Sequence, residues 1–269
     1  MLLHIMHRDH RKAINEYNIR PFRQGVYTLL EILEDVCDGH NVVGTVYTEA
    51  NSFYWNSQQG DPYAPVGEVE FCQGVAAACD SGTYGASRSQ PGPRVCWGIQ
   101  GSLDDLGDPE APAVLEYMTK TRNFRGIRGP HTPTPAYDDA FKRGFAAVRD
   151  LGLVYDCWLG EYNPEDLPRL QALAEEFPSV PIVLDHLGAA VGPKLSEEEA
   201  RSWRENIASL ASACPNVVCK VGGERMHSLL SYCYRQAPYM YVLIEVNDTS
   251  VRSSITVLGV ASRVLCVSH

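Results

Sequence analysis

Val180-Pro181-Ile182-Val183-Leu184-Asp185-His186-Leu187-Gly188 is a short apolar run that ends abruptly in two polar residues. A β-branched run without polar alternation marks a strand buried on both faces, as in parallel sheets covered by helices. In such sheets ligands bind outside the carboxyl ends of the strands. Asp185 and His186 stand at that edge, and His186 becomes the first candidate functional residue.

Outward from this run, strand-like and helix-like segments alternate with short polar connections, the mark of repeated βα units. Before it come strands at Val42–Glu49, Arg94–Gln100, Phe124–Arg128 and Leu153–Leu159. Helices fall between them over Pro65–Cys79, about Pro109–Thr121 and about Tyr137–Leu151, and a fourth opens at Pro164, Glu165 and Asp166 and reaches Phe177. After it, Ser196 and Glu199 have the spacing of a capping box, opening a helix to about Ala213 and then a strand at Asn216–Val221. The chain has 269 residues, and a (β/α)8 barrel takes ~250. Six strands and five intervening helices are most of such a barrel.

Upstream of Val42 lies one helix-like segment, Tyr27–Cys37, after an opening rich in His, Arg and Asn. Downstream of Gly223 the rhythm fades into a serine-sprinkled stretch with a strand-like run at Tyr241–Val246 and an apolar run near Ile255–Val260. The expected fold is therefore α/β, a TIM (β/α)8-type barrel that is incomplete: strands two to seven are read, the first and eighth are not. The organisation expected is an irregular segment at 1–25, a barrel domain at 26–223 and a divergent segment at 224–269.

Hydrophobic residues at 45% and charged residues at 21% are ordinary for a globular chain and exclude disordered and fibrous classes. The net charge of −10 repels phosphate backbones and anionic lipid, so neither nucleic acid nor membrane is expected as a partner. The nine cysteines form no C-x-x-C pair, which fits a reducing compartment. Met1 to His10 has no apolar stretch ahead of its charges, and no run nears the ~18 apolar residues of a membrane span, so a cytoplasmic location is expected. G-x-x-x-x-G-K, H-E-x-x-H and G-x-S-x-G are all absent, which removes nucleotide hydrolysis, zincin and serine-hydrolase chemistry from consideration.

Five phrases carry a resemblance: Gly39-His40-Asn41-Val42-Val43-Gly44-Thr45-Val46-Tyr47-Thr48-Glu49-Ala50, Phe124-Arg125-Gly126-Ile127-Arg128, Asp156-Cys157-Trp158-Leu159, Val183-Leu184-Asp185-His186-Leu187-Gly188, and Asn216-Val217-Val218-Cys219-Lys220-Val221-Gly222-Gly223. In order and spacing the chain resembles the amidohydrolase-related (amidohydrolase 2) family of TIM-barrel, metal-dependent hydrolases, which includes sugar-lactone and pyrone-dicarboxylate lactonases. The resemblance implies a His-x-His pair on the first strand, a histidine at the end of a later strand and an acid on the eighth, which hold a divalent metal (Zn or Mn) or polarise a carbonyl. His186 matches the later histidine, as metal ligand or catalytic group. No pair of the histidines at 4, 7, 10, 40, 131, 186, 227 and 269 is separated by one residue, so a metal-free site stays open.

Around His186 the strand ends supply further candidates. Arg128 suits a substrate carboxylate, held bidentately, or pairs with an acid. Glu49 touches substrate, orients a histidine or caps. Asp156 and Trp158 share one face of their strand, Trp158 as pocket wall or as packing. Lys220, if buried, needs a partner. His131 completes the substrate-binding set. His4, His7 and His10 could replace the missing ligand pair, and Glu245, Asn247 or Asp248 the eighth-strand acid. The function expected is hydrolysis of a small cyclic ester or amide, lactones ahead of amides. Water activated by a metal or a carboxylate attacks the carbonyl, His186 stabilises the oxyanion and Arg128 grips an anionic substituent. The alternative is a degenerate barrel that binds a ligand or partner without turnover; if strands one and eight are missing, the second and seventh strands expose unpaired edges that invite association, including between copies of the chain.

Overall fold

A computed structural model describes residues 2–3, 28–37, 42–58, 60–84, 92–103, 105–129, 137–159, 163–189, 195–221 and 242–245. They fall into two compact units, residues 1–102 with 113–125 and 269, and residues 103–112 with 126–268.

In the first unit, β1 (Leu2–Leu3) pairs in parallel with β2 (Gly44–Thr48), which pairs in parallel with β3 (Arg94–Ser102). Helices α1 (Leu29–Cys37), α2 (Val66–Asp80) and α3 (Ala111–Thr119) accompany them. The register slips between Gly44 and Val46, where Cys96 takes a φ of 50° and its N–H bonds the Thr45 hydroxyl at 2.9 Å. Tyr47, Val69, Cys72, Ala76, Val95 and Ile99 make the core of this unit. Cysteines here serve as small apolar side chains, as their strand and helix settings suggest.

The second unit runs β4 (Phe124–Arg128), α4 (Asp139–Asp150), β5 (Val154–Cys157), α5 (Asp166–Glu176), β6 (Ile182–Leu184), α6 (Glu197–Ala213), β7 (Val217–Val221) and β8 (Val242–Glu245). β4 to β7 pair in parallel, each with the next. Gly126 lets β4 approach β5 closely, since a Cβ there would lie 2.1 Å from the Val154 carbonyl oxygen. Aromatic rings then seat the helices on the strands. Phe145 of α4 lies 5.0 Å from Tyr155 of β5 and 5.0 Å from Phe177, both edge-to-face, each contact contributing about 0.5–1.5 kcal/mol beyond area burial. The capping box is present in full, the Glu199 N–H on the Ser196 hydroxyl and the Ser196 N–H on the Glu199 carboxylate.

The fold is thus α/β and of the TIM-barrel type, and it is incomplete: β8 pairs antiparallel with β7, where a (β/α)8 barrel has only parallel neighbours. In the opening segment Leu2 and Leu3 align with Val46 and Tyr47. β1 and β8 pair with the outer edges of β2 and β7.

Candidate active site

The register of the second unit brings four strand ends level. Arg128 pairs with Asp156, Asp156 with Val183, and Val183 with Val218. Side chains alternate along a strand, so Asp185 and Lys220, two residues beyond Val183 and Val218, face the same side one layer further on. Asp156 and Asp185 have no exposed surface, and Arg128 and Lys220 keep only 6% and 4%. Arg128 Nη2 donates to Asp185 Oδ2 at 2.5 Å, while Lys220 Nζ lies 2.7 Å from Asp185 Oδ1 and donates to Asp156 Oδ2. Asp185 therefore holds one cation on each oxygen. The Trp158 ring stands 5.5 Å from the Arg128 guanidinium, a cation–π contact.

Two acids against two bases balance, which is what buried charge requires. The acids differ sharply. Burial pushes the Asp185 carboxyl up, but Arg128, Lys220 and His186 more than offset it and hold the group well below its ordinary 3.8. Burial, then the charge of Asp185, push Asp156 up to about 7 against the pull of Lys220 and Arg128. Two neighbouring carboxyls with separated titrations are an acid–base arrangement.

His186 follows Asp185 directly, 6% exposed. It does not close the strand: β6 ends at Leu184, and His186 opens a 3-10 turn, His186–Ala189. His186, Leu187 and Gly188 have φ of 50°, 56° and 68°, three left-handed residues in succession. The Gly188 N–H closes the turn on the Asp185 carbonyl at 2.9 Å.

The first unit has buried acids of its own. Glu49, just past β2, is 1% exposed, and its Oε2 accepts the Asn51 N–H at 3.2 Å. Glu68 of α2 is fully buried, and its Oε1 accepts from Tyr47 Oη at 2.5 Å, from the Ala50 N–H at 2.8 Å and from the Ser52 N–H at 3.1 Å. Burial and then the charge of Glu49 push it up to about 8. Sequence reading missed Glu68; its signal was a charged residue four places before Cys72, on the face that α2 buries.

The structure gathers Arg128, Asp156, Trp158, Lys220 and His186 around Asp185, which sequence reading noticed at the strand end but did not count among the site residues. Arg128 meets an acid, Trp158 packs on the guanidinium, and Lys220 is buried with partners. Glu49 stands in the first unit beside Glu68. His131, His4, His7, His10, Asn247 and Asp248 lie outside the described residues; for Glu245 only the backbone of β8 is described. Among the described residues no three His, Cys, Asp or Glu side chains gather as metal ligands, and both acids beside His186 face cations. That donor set does not fit a divalent ion.

The titrations predict stability against pH. Asp156 and Glu68 are raised, so the stability tied to their protonated forms is present in acid and is lost as pH climbs from their ordinary values, 3.8 and 4.5, to about 7 and about 8. Asp185 is depressed, and its contribution disappears only below 3.8. Thermal unfolding should therefore give a Tm that falls between pH 5 and 8, with a flatter slope in Asp156→Asn and in Glu68→Gln.

Parallel strands with helices between them thus carry a buried cluster of acids and bases, with a histidine just past their carboxyl ends, the side on which barrel proteins of this type bind ligands. The chain belongs to the amidohydrolase family, whose profile, described as Amidohydrolase, matches residues 67–248. It is 30% identical over 224 residues to the uncharacterized protein y4mH of Sinorhizobium fredii, covering 76% of this chain and 65% of that one. It is 32% identical over 124 residues to the L-fucono-1,5-lactonase of Burkholderia ambifaria, covering 44% of this chain and 40% of that one. These alignments thus span under two thirds of the relatives' lengths. A probable 2-pyrone-4,6-dicarboxylic acid hydrolase of Acinetobacter baumannii, solved with citric acid bound, shares the fold at a TM-score of 0.53 and 16% identity, over 80% of this chain and 67% of that one. No helix among the described residues is long and apolar enough to cross a membrane.

Proposed function

We propose that the chain hydrolyses the ring ester of a small lactone, with His186 and Asp156 as the working groups. The observation that carries this is the placing of a fully buried acid, Asp156 of β5, beside the neighbouring strand whose following turn presents His186; burial and the charge of Asp185 push that acid up to about 7. Asp156 takes a proton from water, the water oxygen bonds to the carbonyl carbon, and His186 donates a hydrogen bond to the oxygen as negative charge develops there. The ring C–O bond then breaks, and the proton held by Asp156 passes to the departing alkoxide, leaving a hydroxy acid. Lys220 and Arg128 keep Asp185 ionised beside the reacting centre. No step is routed through a metal, because the described donors do not fit one. An anionic substituent would compete with Asp185 for Arg128, so an uncharged ring is the better substrate.

Family membership and the likeness to a sugar lactonase support this choice of substrate. The thiols at positions 37, 72, 79, 96, 157, 214 and 219 are free, which favours a reducing, cytoplasmic setting. Proton release on adding a neutral sugar 1,5-lactone, compared with a carboxylated lactone, tests the proposal. Release above the spontaneous rate with the neutral compound is expected. Absence of release with both lactones, with and without added Zn2+ or Mn2+, contradicts it and leaves ligand binding without turnover.

A further inference from the structure

The turn that presents His186 is costly to hold. The left-handed region is strained for an L-residue; histidine visits it more readily than most, leucine does not. Gly188 suits the third position, where a Cβ would lie 2.9 Å from Leu167 Cδ2. Leu187, at φ 56°, has no such excuse, and its carbonyl is where a second element intervenes: the indole N–H of Trp203 donates to the Leu187 oxygen at 2.8 Å. Trp203 lies in the second turn of α6, a helix whose one fully buried side chain among the described residues is Leu210. α6 otherwise meets its surroundings through polar links, Asn206 Nδ2 to the Pro164 carbonyl at 3.1 Å and Ser209 Oγ to Gln171 Oε1 at 2.9 Å. Trp203 itself is partly buried, and its one polar atom is spent on the backbone next to His186.

We propose that Trp203 is a positioning residue for His186: its indole N–H fixes the left-handed turn that directs the imidazole. This rests on the assignment of His186 as the group meeting the carbonyl oxygen. Backbone strain beside a reacting group persists only where the surroundings hold it, and release of the Leu187 carbonyl lets the turn relax toward ordinary φ.

Trp203→Phe keeps an aromatic ring and removes the donor. For lactone hydrolysis the expected result is a kcat lowered about 10- to 100-fold with KM within about twofold, because a small misplacement of a reacting group costs rate rather than binding. Tm should fall by only a few degrees, the loss of about one hydrogen bond. A second arm needs no turnover. In chain carrying 13C-labelled histidine, the ring resonance that vanishes in His186→Ala is followed in Trp203→Phe, where it should move or broaden while the other histidine signals stay. If wild-type chain hydrolyses no lactone, the proposed function fails, and the resonance still decides the placement of His186. Should Trp203→Phe not fold, Trp203→His, which retains a ring N–H, is expected to keep the resonance near its wild-type position. An unmoved His186 resonance in folded Trp203→Phe overturns the proposal, as does an unchanged kcat in an active chain. So does a His186 resonance displaced in Trp203→His.

Discussion

Asp185→Asn is expected to destabilise the chain by about 3–5 kcal/mol, the cost of removing one partner from a buried ionic cluster. The substitution keeps shape and takes away the charge that stands between Arg128 Nη2 and Lys220 Nζ. Two buried cations would then face Asp156 as their one remaining acid. For a chain of this size each kcal/mol shifts Tm by roughly 2–4 °C, so a drop on the order of 10 °C should be seen in a thermal melt. Because the penalty comes from stranded charge and not from lost volume, Arg128→Met placed on top of Asp185→Asn should recover part of it. A melt within a degree of wild type would mean that Asp185 does not hold the cluster together.

Asp156→Asn should do the opposite, leaving the melt nearly in place and removing activity. Asparagine imitates the neutral carboxyl, a state that burial already favours, and Lys220 keeps its contact with Asp185. A positioned base contributes about 10²- to 10⁴-fold, so kcat for the lactone should fall by that range. In wild type, kcat should rise with pH to a plateau above about 7, as Asp156 loses its proton, while Tm declines over the same interval. Activity and stability thus pull in opposite directions on one carboxyl group. A variant that keeps the full rate and the same pH profile would remove Asp156 from the chemistry.

Much of the scaffold was legible because its cause is local. The segment Phe124–Arg128 became a strand as read, the strand read over Pro181–His186 holds over Ile182–Leu184, and Ser196 with Glu199 opened α6 through two reciprocal hydrogen bonds that three-residue spacing alone specifies. The strand ends were legible as well: Arg128, Asp156, Lys220 and His186 were named from their positions and do come together. What could not be read depends on register and long-range pairing. Asp185 meets Arg128 across 57 residues, and Lys220 reaches Asp156 across 64, contacts set by how β4 to β7 align. Glu68 lay hidden because an acid on α2, two residues from Glu70, reads as solvated until the backbone just past β2 is seen to sit on it. β1 has only Leu2 and Leu3, too short for any periodicity, and the left-handed turn after β6 has no sequence cue beyond Gly188.

The most direct test is the hydrolysis of a neutral sugar 1,5-lactone by wild-type chain and by His186→Ala, with the folded state of both checked by circular dichroism. Loss of an oxyanion donor lowers kcat by about 10²- to 10³-fold, and a fall of that size in folded His186→Ala is the predicted result. Equal kcat in the two proteins would contradict the assignment of this histidine and, with it, of the strand-end cluster as the catalytic site.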